Sequence, residues 1–227
     1  MAYGVSSKPI MLDFLPSSGN LEMLRLIEFL VRARAAPVDP LHFKRLIGKG
    51  SGLEYLADIV RNALFVSKGH RQDVNISLVL ERSKDFSRVV RFSGASLGSF
   101  KDLHETAILN RIIDALSFAV KLKKNEELEE SGGIFVSAQS FETYFSSKIK
   151  TYTPYLLDKK GQDIRFVDIE PKPLFVLSDH TPMPRNSKKS LIRSGISTVS
   201  IGPTLLHSSQ CIAVVLNEFD RKSSFKE

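Results

Sequence analysis

Residues 173–203 read PLFVLSDHTPMPRNSKKSLIRSGISTVSIGP. Two short apolar runs, 173–179 and 197–202, have the composition of buried strands, and the charged stretch 186–194 between them reads as a helix. The same rhythm holds on either side, with strands expected at GIFVSA (133–138) and TPYLLD (153–158) and helices at 140–149 and 208–222. Strands alternating with helices in this way predict an α/β fold with a largely parallel sheet, covered by helices on both faces.

Working toward the N-terminus, LRLIEFLVRARAA (Leu24–Ala36) predicts a strand that runs into a loop at Pro37 and Pro40. Gly48, Gly50 and Gly52 then lead into residues 51–69, where Leu53, Leu56, Ile59, Val60, Ala63 and Leu64 recur at helical spacing. This predicts an amphipathic helix that stops at Gly69. VNISLVLE (74–81) and RVVRFSG (88–94) are β-rich and separated by the polar RSKDFS, so two neighbouring strands are expected. A further helix is expected over Leu103–Leu122, with Ile108, Ile112, Ala115, Leu116 and Ala119 on one face. The charged KKNEELEESGG (123–133) reads as a solvated connection. Residues 1–23, with Pro9, Pro16 and Ser17-Ser18-Gly19, predict an irregular arm before one domain spanning 24–227.

The chain has 227 residues, 42% of them hydrophobic, which suits one globular domain. It carries no apolar run of membrane-spanning length and opens without a secretion signal, so a cytoplasmic protein is expected. A single cysteine, Cys211, excludes an intrachain disulfide and a multi-cysteine zinc site. His42, His70, His104, His180 and His207 show no ligand spacing, and no metal is expected. The formal charge of +7 favours a polyanionic partner.

In α/β sheets, ligands bind beyond the carboxyl ends of strands, where loops converge and helix N-termini offer free backbone donors. Two such ends stand late in the chain, Leu177-Ser178-Asp179-His180 and Ser200-Ile201-Gly202-Pro203. Gly202 allows close backbone approach and Pro203 fixes the turn into the last helix. Ser178, Asp179 and His180 do not read as a hydrolytic triad, because consecutive residues at a strand end point in different directions. Cys211 lies in the apolar run CIAVVL and reads as a pocket wall rather than a nucleophile.

Several blocks, taken in order, resemble one family: Ala63-Leu64-Phe65-Val66-Ser67 before Gly69-His70-Arg71, Arg91-Phe92-Ser93-Gly94, Gly133-Ile134-Phe135-Val136-Ser137, Phe175 to His180, Ser200 to Pro203, and Asn217-Glu218-Phe219-Asp220-Arg221. The family is that of the archaeal tRNA pseudouridine N1-methyltransferases called TrmY. The resemblance implies a SPOUT-type α/β fold with a C-terminal trefoil knot, S-adenosylmethionine as methyl donor, an RNA substrate with tRNA foremost, and a homodimer whose active sites are completed across the interface. It places the donor against Leu157, Ser178, Asp179, Ser200, Ile201, Gly202, Pro203, Thr204, Leu205 and Cys211. Arg32, Arg34, Arg71 and Arg91 are then candidates for RNA phosphates. Asp102 and Glu105 are candidates to accept the N1 proton, with Asp179 a third.

This chain departs from the family at three places. Ser178 replaces a glycine, Leu103-His104-Glu105-Thr106 replaces Asp-Glu-Arg-Ser, and Ala138-Gln139 stands where an arginine follows the Val-Ser block. Two other readings stay open: a SPOUT reaction on a ribose 2′-hydroxyl or another base nitrogen, and a non-catalytic RNA-binding relative.

Overall fold

The structure, a computed structural model, describes residues 26–100 and 102–224. The arm expected over 1–23 lies outside the described residues. Eight strands form one sheet, in which β1 (Ile27–Pro37) is flanked by β4 (Val74–Arg82) and β9 (Pro173–Ser178). Beyond β9 come β8 (Thr153–Asp163) and, at the edge, β10 (Ser197–Ser200), so that these five strands run parallel. On the other side β5 (Arg88–Ser93), β7 (Ile134–Ser137) and β6 (Glu127–Ser131) continue the sheet with antiparallel pairing. The expected α/β class with a mostly parallel sheet is the one found.

Alternation along β1 sends successive side chains to opposite faces, and both faces are apolar. Phe29, Val31 and Ala33 pack into a core with Phe43 of α1 (Pro40–Leu46), Ile59 and Val60 of α2 (Glu54–Leu64), Ile108 and Ile112 of α3 (Glu105–Phe118), and Ile212 and Val215 of α6 (Ser208–Ser224). Leu30 faces the other way, with Val79 and Val176, toward Phe141 and Phe145 of α4 (Phe141–Lys148) and Leu191 of α5 (Arg185–Arg193). A strand covered on both sides reads as an unbroken apolar run, which is why IEFLV lacks a polar face. The exception is Glu28, fully buried, which accepts from Ser77 Oγ at 2.5 Å and pairs with Lys148 Nζ at 3.2 Å.

Three expectations need correction. Pro40 does not end regular structure: Asp39 caps α1 by accepting from the His42 N–H at 2.6 Å, and Pro40 occupies the first turn, where a missing N–H costs nothing. The helix after Gly52 stops at Leu64 rather than Gly69, because Phe65–Val66 (β2) turns back to pair with Gly69–His70 (β3). The charged 123–133 stretch holds β6, an exposed edge strand whose glutamates discourage pairing with another chain. Gly132 and Gly133, both at positive φ, make the turn into β7.

One irregularity sets up everything that follows. Ser197 and Thr198 pair with Tyr155 and Leu156, but the next residues, Val199 and Ser200, pair with Gln162 and Asp163. Residues 157–161 are thereby pushed out of register as an excursion from β8 while β10 runs straight past. Gly161 makes this possible, since a Cβ there would stand 2.6 Å from the backbone of Thr198 and Val199. We expect Gly161→Ala to cost about 1–3 kcal/mol by overpacking two backbones that have no flexible atoms to give way. A thermal melt checks this: a fall of several degrees is expected, and an unchanged midpoint would contradict the close approach at Gly161.

Candidate active site

The C-terminal ends of the parallel strands open into a cavity of about 480 Å³, within the range of pockets that hold small molecules. Its floor is apolar, built from Ile59, Leu156, Leu177 and Val199. Three turns wall it: the 157–161 excursion, residues 177–183 after β9, and residues 199–207 after β10. Of the donor residues expected from sequence, Leu157, Ser178, Asp179, Ser200 and Ile201 line this cavity, as do Gly202, Thr204, Leu205 and Cys211. Pro203 is exposed and is not among the lining residues.

Each turn is pinned by its own sequence. Gly202 sits at φ +140°, a conformation that side chains rarely adopt, and nothing lies within 4 Å of where its Cβ would be. Backbone and open space therefore meet there, with Gly202 N–H donating to Ser200 Oγ at 3.3 Å. Ser208, at the start of α6, donates its hydroxyl to the Ser178 carbonyl and so ties the last helix to the end of β9. The Cys211 thiol faces the Leu206 carbonyl at 3.7 Å, and burial pushes its pKa up. At neutral pH it stays protonated, which suits a wall and not a nucleophile.

Asp179 is buried at the cavity edge, accepting from the Thr181 N–H at 2.8 Å, with His180 Nδ1 3.5 Å from its other oxygen. Burial raises its pKa above the usual carboxylate range, and the Thr181 N–H, His180 and Arg34 oppose that shift. Among the described residues no hydrogen bond joins the Ser178 hydroxyl to His180, so the three form no catalytic relay. His180 instead stacks on Tyr55 at 5.2 Å between ring centroids, and His207 stacks on the same tyrosine at 5.5 Å. Gly52 leaves room for this, because a Cβ there would overlap the His180 ring. Tyr55 and Ile59 were missed in the sequence reading. Their signal was the glycine-rich entry to α2, which brings that helix's N-terminus to the carboxyl edge of the sheet.

The RNA candidates fare differently. Arg32 is buried, paired with Glu81 at 2.8 Å and Glu142 at 3.2 Å, and lies over the Phe141 ring. Arg71 makes a two-pronged pair with Asp220, and Arg91 pairs with Glu127 while covering Phe135. Arg34 is exposed beside Asp179. Asp102 and Glu105 precede and open α3, whose lead-in segment follows the end of β5 near the start of β4. That is the opposite edge of the sheet, and neither residue lines the cavity.

Residues 26–224 match the family described as "Putative SAM-dependent RNA methyltransferase". The chain belongs to this family, and S-adenosylmethionine is its cofactor. It is 40% identical over 194 residues to a "Putative pseudouridine methyltransferase" of Shewanella frigidimarina, covering 86% of this chain and 98% of the relative. A Vibrio cholerae protein of the same description is 36% identical over 196 residues, with 86% and 98% covered. Among solved structures, Archaeoglobus fulgidus Nep1 bound to S-adenosylhomocysteine shares the fold, with a TM-score of 0.53 at 10% identity, covering 89% of this chain and all of that one. The residues present fit the cofactor. An apolar floor and an open glycine backbone suit an adenosyl group, and Asp158 and Lys188 place a pair of opposite charges at one corner.

Asp179 gives this site a measurable cost. Its folded pKa lies above its unfolded one, so the stability carried by the protonated carboxyl is full below the unfolded value and lost as pH rises through the folded one. Asp179→Asn should raise the melting temperature by about a degree or more at pH 7.5, and the gain should shrink as the pH is lowered toward 4. A lower melting temperature at pH 7.5 would show the carboxylate to be a net structural partner instead.

Proposed function

We propose that this protein methylates N1 of a pseudouridine in structured RNA, with tRNA the first substrate class to test, as a cytoplasmic homodimer with a trefoil-knotted C-terminal segment. The observation that carries this reading is one cavity walled by the 157–161 excursion and the turns after β9 and β10, in a chain of which 86% is matched by pseudouridine-methyltransferase relatives. The knot comes from the resemblance to the SPOUT family, and the register shift between β8 and β10 with the close backbone approach at Gly161 is compatible with it. No helix among the described residues is long and apolar enough to cross a membrane, and no group of His, Cys, Asp or Glu among them could hold a metal ion.

When bound, the cofactor supplies a methyl group already made electrophilic by its sulfonium. The chain's task is positioning. Ile59, Leu177 and Val199 would exclude water from the nucleoside, and the Gly202 backbone would approach it closely. Pseudouridine presents a ring N1–H that uridine lacks, so aiming at that nitrogen selects the modified base. Asp102 and Glu105 can accept its proton only if a second copy of the chain brings them to the cavity, which is the reason for the homodimer in this reading. Arg34, exposed and electrostatically linked to Asp179, would be the arginine freest to meet a phosphate, and Arg32, Arg71 and Arg91 would first have to leave their carboxylates.

The test is methylation of two matched transcripts, one with pseudouridine and one with uridine at the target position, read by mass spectrometry of the nucleosides. Methyl transfer to the pseudouridine transcript alone is expected. Equal transfer to both would move the reaction to a ribose hydroxyl or another base nitrogen, and S-adenosylmethionine binding without any transfer would make the chain a binding relative.

A further inference from the structure

The cavity has one corner unlike the rest. Asp158, in the excursion from β8, and Lys188, on α5, form an ion pair across it, and both line the cavity. Their side chains are 12% and 39% exposed, so the carboxylate is largely withdrawn from water while the ammonium keeps some access. Asp158 does not swing freely: its Oδ1 accepts from the Lys160 N–H at 2.9 Å, which turns Oδ2 toward Lys188. The pair therefore presents one fixed negative and one movable positive group to the cavity.

Two features add to the positive side. Lys188 lies in the opening turns of α5, whose first turn carries no acidic residue and whose cap, Pro184, offers no side-chain hydrogen bond. The helix N-terminus adds its own partial positive charge at that point. Of the other titratable groups of the cavity, Asp179 is bound to the Thr181 N–H, and His180 and His207 are stacked on Tyr55. Lys159 and Lys160 also line the cavity but are exposed, whereas Lys188 is held against Asp158.

We propose that Lys188 and Asp158 form the subsite for the amino-acid end of the donor, Lys188 taking its carboxylate and Asp158 its ammonium. This rests on the reading of the cavity as the donor site. The chemistry is an exchange of partners: one internal ion pair opens and two intermolecular pairs form, so that no buried charge is left uncompensated. A zwitterion is the ligand class that satisfies both members at once. The adenosyl portion then lies toward the apolar floor and the Gly202 turn.

Calorimetry with two probes separates this subsite from the rest of the pocket. S-Adenosylhomocysteine carries the amino-acid end, whereas 5′-methylthioadenosine keeps the nucleoside thioether without it. Lys188→Ala in the full chain should weaken S-adenosylhomocysteine by about tenfold or more, equivalent to 1.4 kcal/mol, and leave 5′-methylthioadenosine within about twofold. Lys188→Gln, which keeps most of the side-chain length without the charge and serves if the alanine variant folds poorly, should show the same selective loss. Equal weakening of both probes, or undiminished S-adenosylhomocysteine binding in either variant, would overturn the proposal. Failure of the unaltered protein to bind either probe would instead sink the donor-site reading beneath it.

Discussion

The register shift between β8 and β10 is the constraint on which the rest of the molecule depends. Two parallel strands that pair at 155–156 and again at 162–163 must part between those points, and Gly161 is where the backbones come too close for any side chain. The displaced residues, 157–161, bulge out of the ladder. There they meet the turns after β9 and β10 and enclose a cavity that no pair of strands alone would form. Fold and site thus share one cause, a local failure of register.

Around that cavity, polar groups are held in place at an energetic cost borne by the two-sided core. Asp179 is kept buried with a raised pKa, Gly202 holds a backbone angle that few residues tolerate, and Asp158 is fixed by its own turn. Buried apolar residues on both faces of β1, from Phe29 and Val31 on one side to Leu30 on the other, supply the stability that lets such features persist. The three-ring stack of His180, Tyr55 and His207 joins the turns after β9 and β10 to α2, so the pocket mouth is braced from the side the strands do not reach.

The parallel half of the sheet was legible in the sequence because its strands are short apolar runs between charged helices, and because ligand sites follow strand ends in such folds. Residues 177–180, 200–202, 204 and 205, which line the cavity, were singled out that way and by resemblance. The excursion itself was not legible, since LLDKKGQD carries no local mark of a register shift beyond its glycine, and the shift is decided by contact with Thr198 and Val199 far along the chain. β6 was hidden by its glutamates, whose charge resembles that of a loop although edge strands use the same residues. Arg71 and Arg91 look like free cations in sequence, and only the fold reveals Asp220 and Glu127 beside them. Asp102 and Glu105 fall on the far edge because β5 runs antiparallel, which periodicity cannot distinguish from a parallel strand.

Hydrogen exchange of the full chain with and without S-adenosylhomocysteine reports where the donor lies without altering any residue. Slowed exchange confined to residues 157–161, 178–183 and 200–207 is the predicted result. Protection that falls instead on the second hollow beside Arg71, Asn217 and Asp220, or that spares those three turns, would contradict a donor site built around the register shift between β8 and β10.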